Sequence, residues 1–166
     1  MAFFTILDIV FMLLFCLFYA YQFFYIFWSL THKPIKFTNS DPNRLAILIS
    51  ARNEENVIPH LLNSIHSQTY DKKLLDIYVV ADNCSDHTAD VSRERGAIVY
   101  ERFDSDYIGK GYALDFLYKK IVQTKGEDYY DGFIVLDADN LLEPDYVEQM
   151  NKGFSSGYKI LTSYRN

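Results

Sequence analysis

Apolar positions follow two patterns along this chain. From Ile9 to Leu30 they are nearly continuous, and Asp8 is the only charged residue between Met1 and Thr31. From Leu45 onward they come in short runs separated by polar clusters. The first pattern is a 22-residue run, long enough to cross a bilayer core of about 30 Å as a helix. Its thirteen Phe, Ile, Leu and Val residues favour insertion by about 4 to 8 kcal/mol, at roughly 0.3 to 0.6 kcal/mol each. A central Asp opposes insertion by roughly 2.5 to 3.5 kcal/mol, and by less near an end, where Asp8 stands. Tyr19, Tyr21, Tyr25 and Trp28 suit either a membrane interface or packing in lipid. No Lys or Arg precedes the run and no small-x-small site follows it, so a membrane anchor is favoured over a cleaved signal peptide. His32, Lys33, Lys36 and Arg44 follow, and positive flanks mark the cytoplasmic side. Pro34 and the stretch Thr38-Asn39-Ser40-Asp41-Pro42 read as linker. The expected organisation is an anchor over 1–32, a linker over 33–44 and a soluble domain facing the cytoplasm over 45–166.

The second pattern alternates strand-like and helix-like segments. Leu45–Ser50 reads as a buried parallel strand. Val57, Ile58, Leu61, Leu62 and Ile65 then recur at helical spacing. Asn53 or Asn56 is placed to cap that helix, with its start near Asn56 because Pro59 fits only a first turn. Leu75–Ala81 predicts a second strand, followed by a helix capped at Ser85 or Asp86 and ending near Gly96. Ala97–Tyr100 predicts a third strand. Ala113, Leu114, Leu117 and Ile121 form a helical stripe. Phe133–Leu136 predicts a fourth strand, Asp145–Lys152 a helix, and Tyr158–Ser163 a fifth strand. This alternation implies an α/β domain with a mostly parallel sheet and helices on both faces.

The formal net charge of −6, with 22 acidic and 16 basic residues, argues against a nucleic-acid partner, which would call for a basic stripe. It leaves an anionic ligand possible where a metal ion supplies positive charge. Cys16 lies in the apolar run and Cys84 in the soluble part, so neither a disulfide nor zinc spacing is indicated.

Ligands of open parallel sheets bind beyond the carboxyl ends of the strands. Three polar clusters fall there: Ala51-Arg52-Asn53-Glu54-Glu55, Asp82-Asn83-Cys84-Ser85-Asp86 and Asp137-Ala138-Asp139-Asn140. Asp137 and Asp139 repel one another and invite a positive partner. A hard divalent ion such as magnesium, held by one or two carboxylates and substrate phosphates, suits them; an acidic turn or helix cap is the other reading. Asp82 can accept hydrogen bonds from a base or ribose, or serve in an Asx-turn or cap. Gly109-Lys110-Gly111, ahead of a helix, allows a phosphate to approach the backbone, with Lys110 adding charge; an exposed turn lysine is the plainer alternative. The P-loop and dinucleotide fingerprints are absent.

Taken in order, Ile49–Glu55, Val80–Asp86, Gly109–Asp115 and Leu136–Asp139 resemble the pattern of glycosyltransferase family 2 on a GT-A fold. The similarity is greatest to membrane-bound members acting at the cytosolic face. The resemblance implies a metal-dependent, inverting transferase that moves a sugar from a nucleotide-sugar, a UDP-sugar by preference, to a lipid or polysaccharide. It places Ala51, Asn53, Glu54 and Glu55 along the nucleotide and Asp82 at the base. Lys110 and Asp137 fall near the diphosphate, and Asp139, with Asp137, holds Mg or Mn. The family's carboxylate base lies downstream of the Asp-x-Asp motif, so no catalytic residue is assigned, and the chain is expected to be mainly a donor-binding half. The alternative is a non-catalytic, membrane-anchored nucleotide-sugar-binding fragment or regulator.

Overall fold

The computed structural model describes residues 2–31, 37–38 and 41–163. The chain divides into two compact units, Met1–Lys36 and Phe37–Asn166. The positive flank His32, Lys33 and Lys36, along with Pro34, Asn39 and Ser40, lies outside the described residues.

The first unit contains one helix, α1 (Ala2–Thr31). Its described side chains are exposed, including Phe11 at 61% and Phe18 at 70%. From Phe3 to Thr31 it is long and apolar enough to cross a membrane.

In the second unit, the elements in chain order are β1 (Leu45–Ala51), α2 (Ile58–His66), β2 (Leu75–Asp82), α3 (Thr88–Glu94), β3 (Ile98–Arg102), α4 (Lys110–Lys125), β4 (Gly132–Asp137) and α5 (Tyr146–Ser155), with a single 3-10 turn at Lys72–Leu74 ahead of β2. The strands form one sheet in the order β3-β2-β1-β4, and every pair is parallel. β1 is central and buried, and alternate residues feed opposite cores. Leu45, Ile47, Ile49 and Ala51 pack with Ile58, Leu61, Leu62 and Ile65 of α2 and Val147 of α5. Ala46 and Leu48 pack with Ala113, Leu117 and Ile121 of α4. Each fully buried Leu or Ile contributes about 1.5 to 3 kcal/mol, so these two layers hold the strand ends in place.

Several boundaries differ from the sequence pattern for physical reasons. α2 begins at Ile58 without a side-chain cap. Of the two expected caps, Asn53 and Asn56, Asn53 is engaged elsewhere: its Oδ1 accepts from Ser85 N–H at 2.8 Å. The α2 entrance is satisfied across the fold instead, with Glu54 N–H donating to Thr88 Oγ1 at 2.8 Å and Glu55 N–H to Asp86 Oδ2 at 3.1 Å. α3 starts at Thr88, and Asp86 serves it from outside by accepting from Thr88 N–H at 3.1 Å. Lys110 and Gly111 do not precede α4 but form its first turn.

The expected fifth strand is absent among the described residues, and the sheet has four strands. Ile160 is 88% exposed, whereas Leu161 packs onto Gly153 of α5. The segment is therefore held by a side chain against α5, not by backbone pairing to β4. A cleft of about 430 Å³ lies along β4, lined by Phe133, Val135, Met150, Phe154 and Leu161 among others.

Candidate functional site at the carboxyl edge of the sheet

Strand register sets the site. In the β1–β2, β1–β4 and β2–β3 pairs, Ala51 lies opposite Ala81, Ser50 opposite Asp137, and Asp82 opposite Arg102. The four strands thus end in Ala51, Asp82, Arg102 and Asp137 along one edge, and Lys110 reaches that edge from the first turn of α4.

Asp82 is buried and neither caps a helix nor closes a turn. Its Oδ1 accepts from Arg102 Nη1 at 2.6 Å, and the two side chains are only 5% and 7% exposed. Arg102 Nη2 donates to Asp104 Oδ2 at 3.0 Å and to the Tyr107 carbonyl at 2.7 Å. Asn83, in the left-handed region at φ 52, closes the group. Its side chain donates to Asp82 Oδ1 and to the Asp104 carbonyl and accepts from Asp104 N–H. The Tyr107 and Asp106 N–H groups hold the Asp104 carboxyl below the usual carboxylate range, assisted by Arg102. Among the described residues no donor reaches Asp82 Oδ2, although no buried polar side-chain atom lacks a partner. The described hydrogen bonds at this carboxylate fall on Oδ1, which leaves Oδ2 with acceptor capacity.

The β4 end is more open. Asp137 forms an ion pair with Lys110, the two side chains being 37% and 46% exposed. Asn140 fixes the turn, accepting from Asp137 N–H at 3.0 Å and donating its own N–H to the Asp137 carbonyl at 3.1 Å. Ala138 is buried in the core, so the two flanking carboxylates remain at the surface. Asp139 is exposed, and the bond described at its carboxylate is a long one, 3.4 Å from Asn140 Nδ2.

The remaining sequence candidates bind one loop to another. Asn53, also left-handed at φ 56, holds Ser85 through its side chain, and its N–H donates to Cys84 Sγ at 3.4 Å. Burial pushes the Cys84 thiol up. Glu55 Oε2 accepts from His87 N–H at 2.9 Å. Thr88 Oγ1 donates to Asp86 Oδ1 at 2.6 Å. Burial opposes ionisation of Asp86, but hydrogen bonds from Thr88 and Glu55 outweigh it and hold the carboxyl low. Together these contacts lock the β1–α2 loop to the β2–α3 loop beside Ala51.

Sequence reasoning missed Arg102 and Thr88, and it placed Asn83 in a polar cluster without giving it a role. Arg102 was detectable in principle as a strand-end residue, but the apolar pattern stops at Tyr100 and the strand runs two residues further. A cleft of about 690 Å³ lies beside α3, lined by Glu55, His87, Asp90 and Arg93 among others, and includes none of Asp82, Lys110, Asp137 or Asp139.

No group of three or more His, Cys, Asp or Glu residues among the described residues could hold a metal ion. Among the described residues, the carboxylates that the end of β4 offers an ion are Asp137 and Asp139. That suits an ion completing its shell with ligand phosphates and water, as magnesium commonly does, and does not suit an all-protein cage.

The sequence and the fold are similar to those of known proteins. The model of the family described as glycosyl transferase family 2 matches residues 46–164. The 4,4'-diaponeurosporenoate glycosyltransferase of Staphylococcus haemolyticus is 29% identical over 119 residues, covering 68% of this chain and 31% of that protein. The protein of the same name in Staphylococcus aureus is 43% identical over 77 residues, 46% of this chain and 20% of its own length. The chain therefore spans about a third, or less, of these curated relatives. Among solved structures, a Pyrobaculum calidifontis mannosyltransferase in complex with GDP-Man and Mn2+ superposes with TM-score 0.67 at 18% identity, covering 85% of this chain and 42% of that one. Staphylococcus aureus TarS in complex with UDP gives TM-score 0.53 at 17% identity, covering 68% and 32%. At such identities the likeness establishes the α/β fold of GT-A type.

Proposed function

The chain belongs to glycosyl transferase family 2, and from that membership we propose that it is the donor-binding part of a glycosyltransferase using a nucleotide-sugar, with UDP as the nucleotide. The observation that carries this reading is the gathering of Asp82, Lys110, Asp137 and Asp139 at the carboxyl edge of one parallel sheet, where such sheets bind ligands. Solved neighbours carry GDP-Man or UDP, which supports a nucleoside diphosphate at this edge.

In this reading Asp82 Oδ2 accepts a hydrogen bond from the base, with Arg102 orienting the carboxylate. Ala51, small and buried, leaves room for the nucleotide against the end of β1. Asn53, Glu54 and Glu55 shape the same wall through the loop lock. Lys110 and the first-turn N–H groups of α4 receive the diphosphate. Asp137 and Asp139 hold a divalent ion, Mg or Mn, which when bound stabilises charge developing on the leaving diphosphate. Inversion at the sugar carbon calls for a carboxylate base, and no residue of this chain is assigned that role. The acceptor is a lipid or polysaccharide; the relatives' name, which specifies diaponeurosporenoate, favours a lipid. An apolar acceptor fits a protein whose α1 anchors it, over 1–32, with the domain at 45–166 facing the cytoplasm and 33–44 joining the two.

The test is calorimetric titration of UDP, GDP and ADP into the detergent-solubilised chain with and without manganese. UDP is expected to bind most tightly, and only with manganese at full strength. Absence of binding by any nucleotide to the folded chain would contradict the proposal.

A further inference from the structure

We propose that Tyr107 is the aromatic platform on which the nucleotide base stacks while Asp82 hydrogen-bonds the edge of that base. This rests on the donor-site reading above and adds to it the residue that holds the face of the base.

The loop 103–109, between β3 and α4, is tied to the carboxyl edge by the side chains around Asp82. Arg102, paired with Asp82 through Nη1, donates from Nη2 to the Tyr107 carbonyl at 2.7 Å. Tyr107 N–H donates to Asp104 Oδ1 at 3.0 Å. The backbone of Asp104 is itself held by the Asn83 side chain, which accepts from its N–H at 2.9 Å and donates to its carbonyl at 3.0 Å. Both backbone polar groups of Tyr107 are thus fixed to the network that orients Asp82. The Tyr107 ring packs against Tyr112, with centroids 5.3 Å apart and planes at 59°. Tyr112 stands in the first turn of α4 with Lys110. Tyr107 therefore bridges the group placed for the base and the turn placed for the diphosphate.

A clamped backbone under an open ring sets Tyr107 apart. Tyr107 is 58% exposed and Tyr112 is 53% exposed, so one ring backs the other and neither is buried. Phe103 and Ile108 of the same loop are exposed too, but single exposed apolar side chains are ordinary on protein surfaces. Tyr107 alone among these has its carbonyl on Arg102. Asp82 can reach only the edge of a base, and a hydrogen bond exchanged with water contributes little net affinity. An aromatic face supplies what the edge contact lacks, because every base has a π-face to stack. Tyr107 then provides affinity and Asp82 provides the choice of base.

The test is UDP binding to the full chain in detergent with saturating manganese, read by calorimetry and by proton NMR of the bound uracil. In wild type the uracil ring protons are expected to move upfield on binding, the ring-current signature of a base over an aromatic face. Tyr107→Ala keeps the backbone groups that Arg102 and Asp104 use. It is expected to weaken UDP binding roughly five- to hundredfold and to abolish most of the upfield shift. Tyr107→Phe is expected to retain both affinity and shift, and Phe103→Ala to change neither. No upfield shift in wild type, or unchanged UDP affinity in Tyr107→Ala, would overturn the platform while leaving the donor site intact. Weaker binding in Tyr107→Ala with the full upfield shift retained would also overturn it, since the base would then rest on another ring. Failure of wild-type protein to bind UDP overturns the donor-site reading and the platform together. Circular dichroism of each variant confirms folding, and the wild-type shift tests the platform without any variant.

Discussion

The two ends of the sheet are both rich in polar side chains, yet they are built differently. At the amino end, polar groups satisfy one another. Tyr130 hydroxyl donates to Asp76 Oδ2 at 2.5 Å and meets Tyr78 hydroxyl at 2.8 Å. Burial, reinforced by the Asp76 carboxylate, pushes the Tyr130 phenol far up and keeps it neutral. Asn151, 1% exposed, accepts from Tyr70 hydroxyl at 3.0 Å and Asn43 Nδ2 at 2.8 Å and donates to the Asp41 carbonyl at 2.9 Å. At the carboxyl end, Asp82 Oδ2 and the exposed Asp139 keep unused acceptor capacity, and Asp137 is held by a half-exposed lysine. Polarity at a strand end therefore does not by itself mark a site; spare hydrogen-bonding and charge capacity does.

That contrast can be tested by how stability and binding separate. The largest stability effect is expected from Arg102→Met, which leaves Asp82 buried without its partner. Losing one member of a buried ion pair costs about 3 to 5 kcal/mol, and UDP binding should fall as well, as read by chemical denaturation and calorimetry. Asn151→Ala at the amino end is expected to cost about 2 to 3 kcal/mol by stranding buried partners, with UDP affinity of the folded protein unchanged. Tyr130→Phe should cost about 1 kcal/mol, also without loss of UDP binding. Smallest of all, Asp86 should make stability depend on pH. Its folded carboxyl binds a proton less readily than the ordinary 3.8, so the unfolded chain takes up more protons in acid. Its contribution is complete above that value and is lost as pH falls below it toward the depressed folded pKa. Thr88→Ala should return the Asp86 titration, followed by carboxyl-carbon NMR, toward 3.8.

The same division explains what the sequence could tell. β1 and β2 are legible as short apolar runs buried in the sheet, and α4 because Ala113, Leu117 and Ile121 recur at helical spacing and enter a core. Asp137, Asp139 and Lys110 stand out as candidates because their residue types and spacing suit an ion and a phosphate. What was not legible depends on register between distant segments. Arg102 meets Asp82 only because β2 and β3 pair with those residues opposite. Asn53 looks like a cap for α2 and instead holds Ser85, and Thr88 rather than a neighbour serves Glu54 N–H. Tyr158–Ser163 has strand-like composition, but composition does not register that Leu161 seats on Gly153.

The central claim, that the carboxyl edge is a metal-dependent nucleotide site, is tested most directly with Asp139→Ala. This exposed side chain contributes within about ±0.5 kcal/mol to stability, so the variant should melt like wild type. Calorimetry of UDP with saturating manganese is predicted to show at least about a tenfold loss of affinity in Asp139→Ala, equivalent to about 1.4 kcal/mol, and no loss when manganese is omitted. Equal UDP affinity in wild type and Asp139→Ala with manganese present would contradict the account.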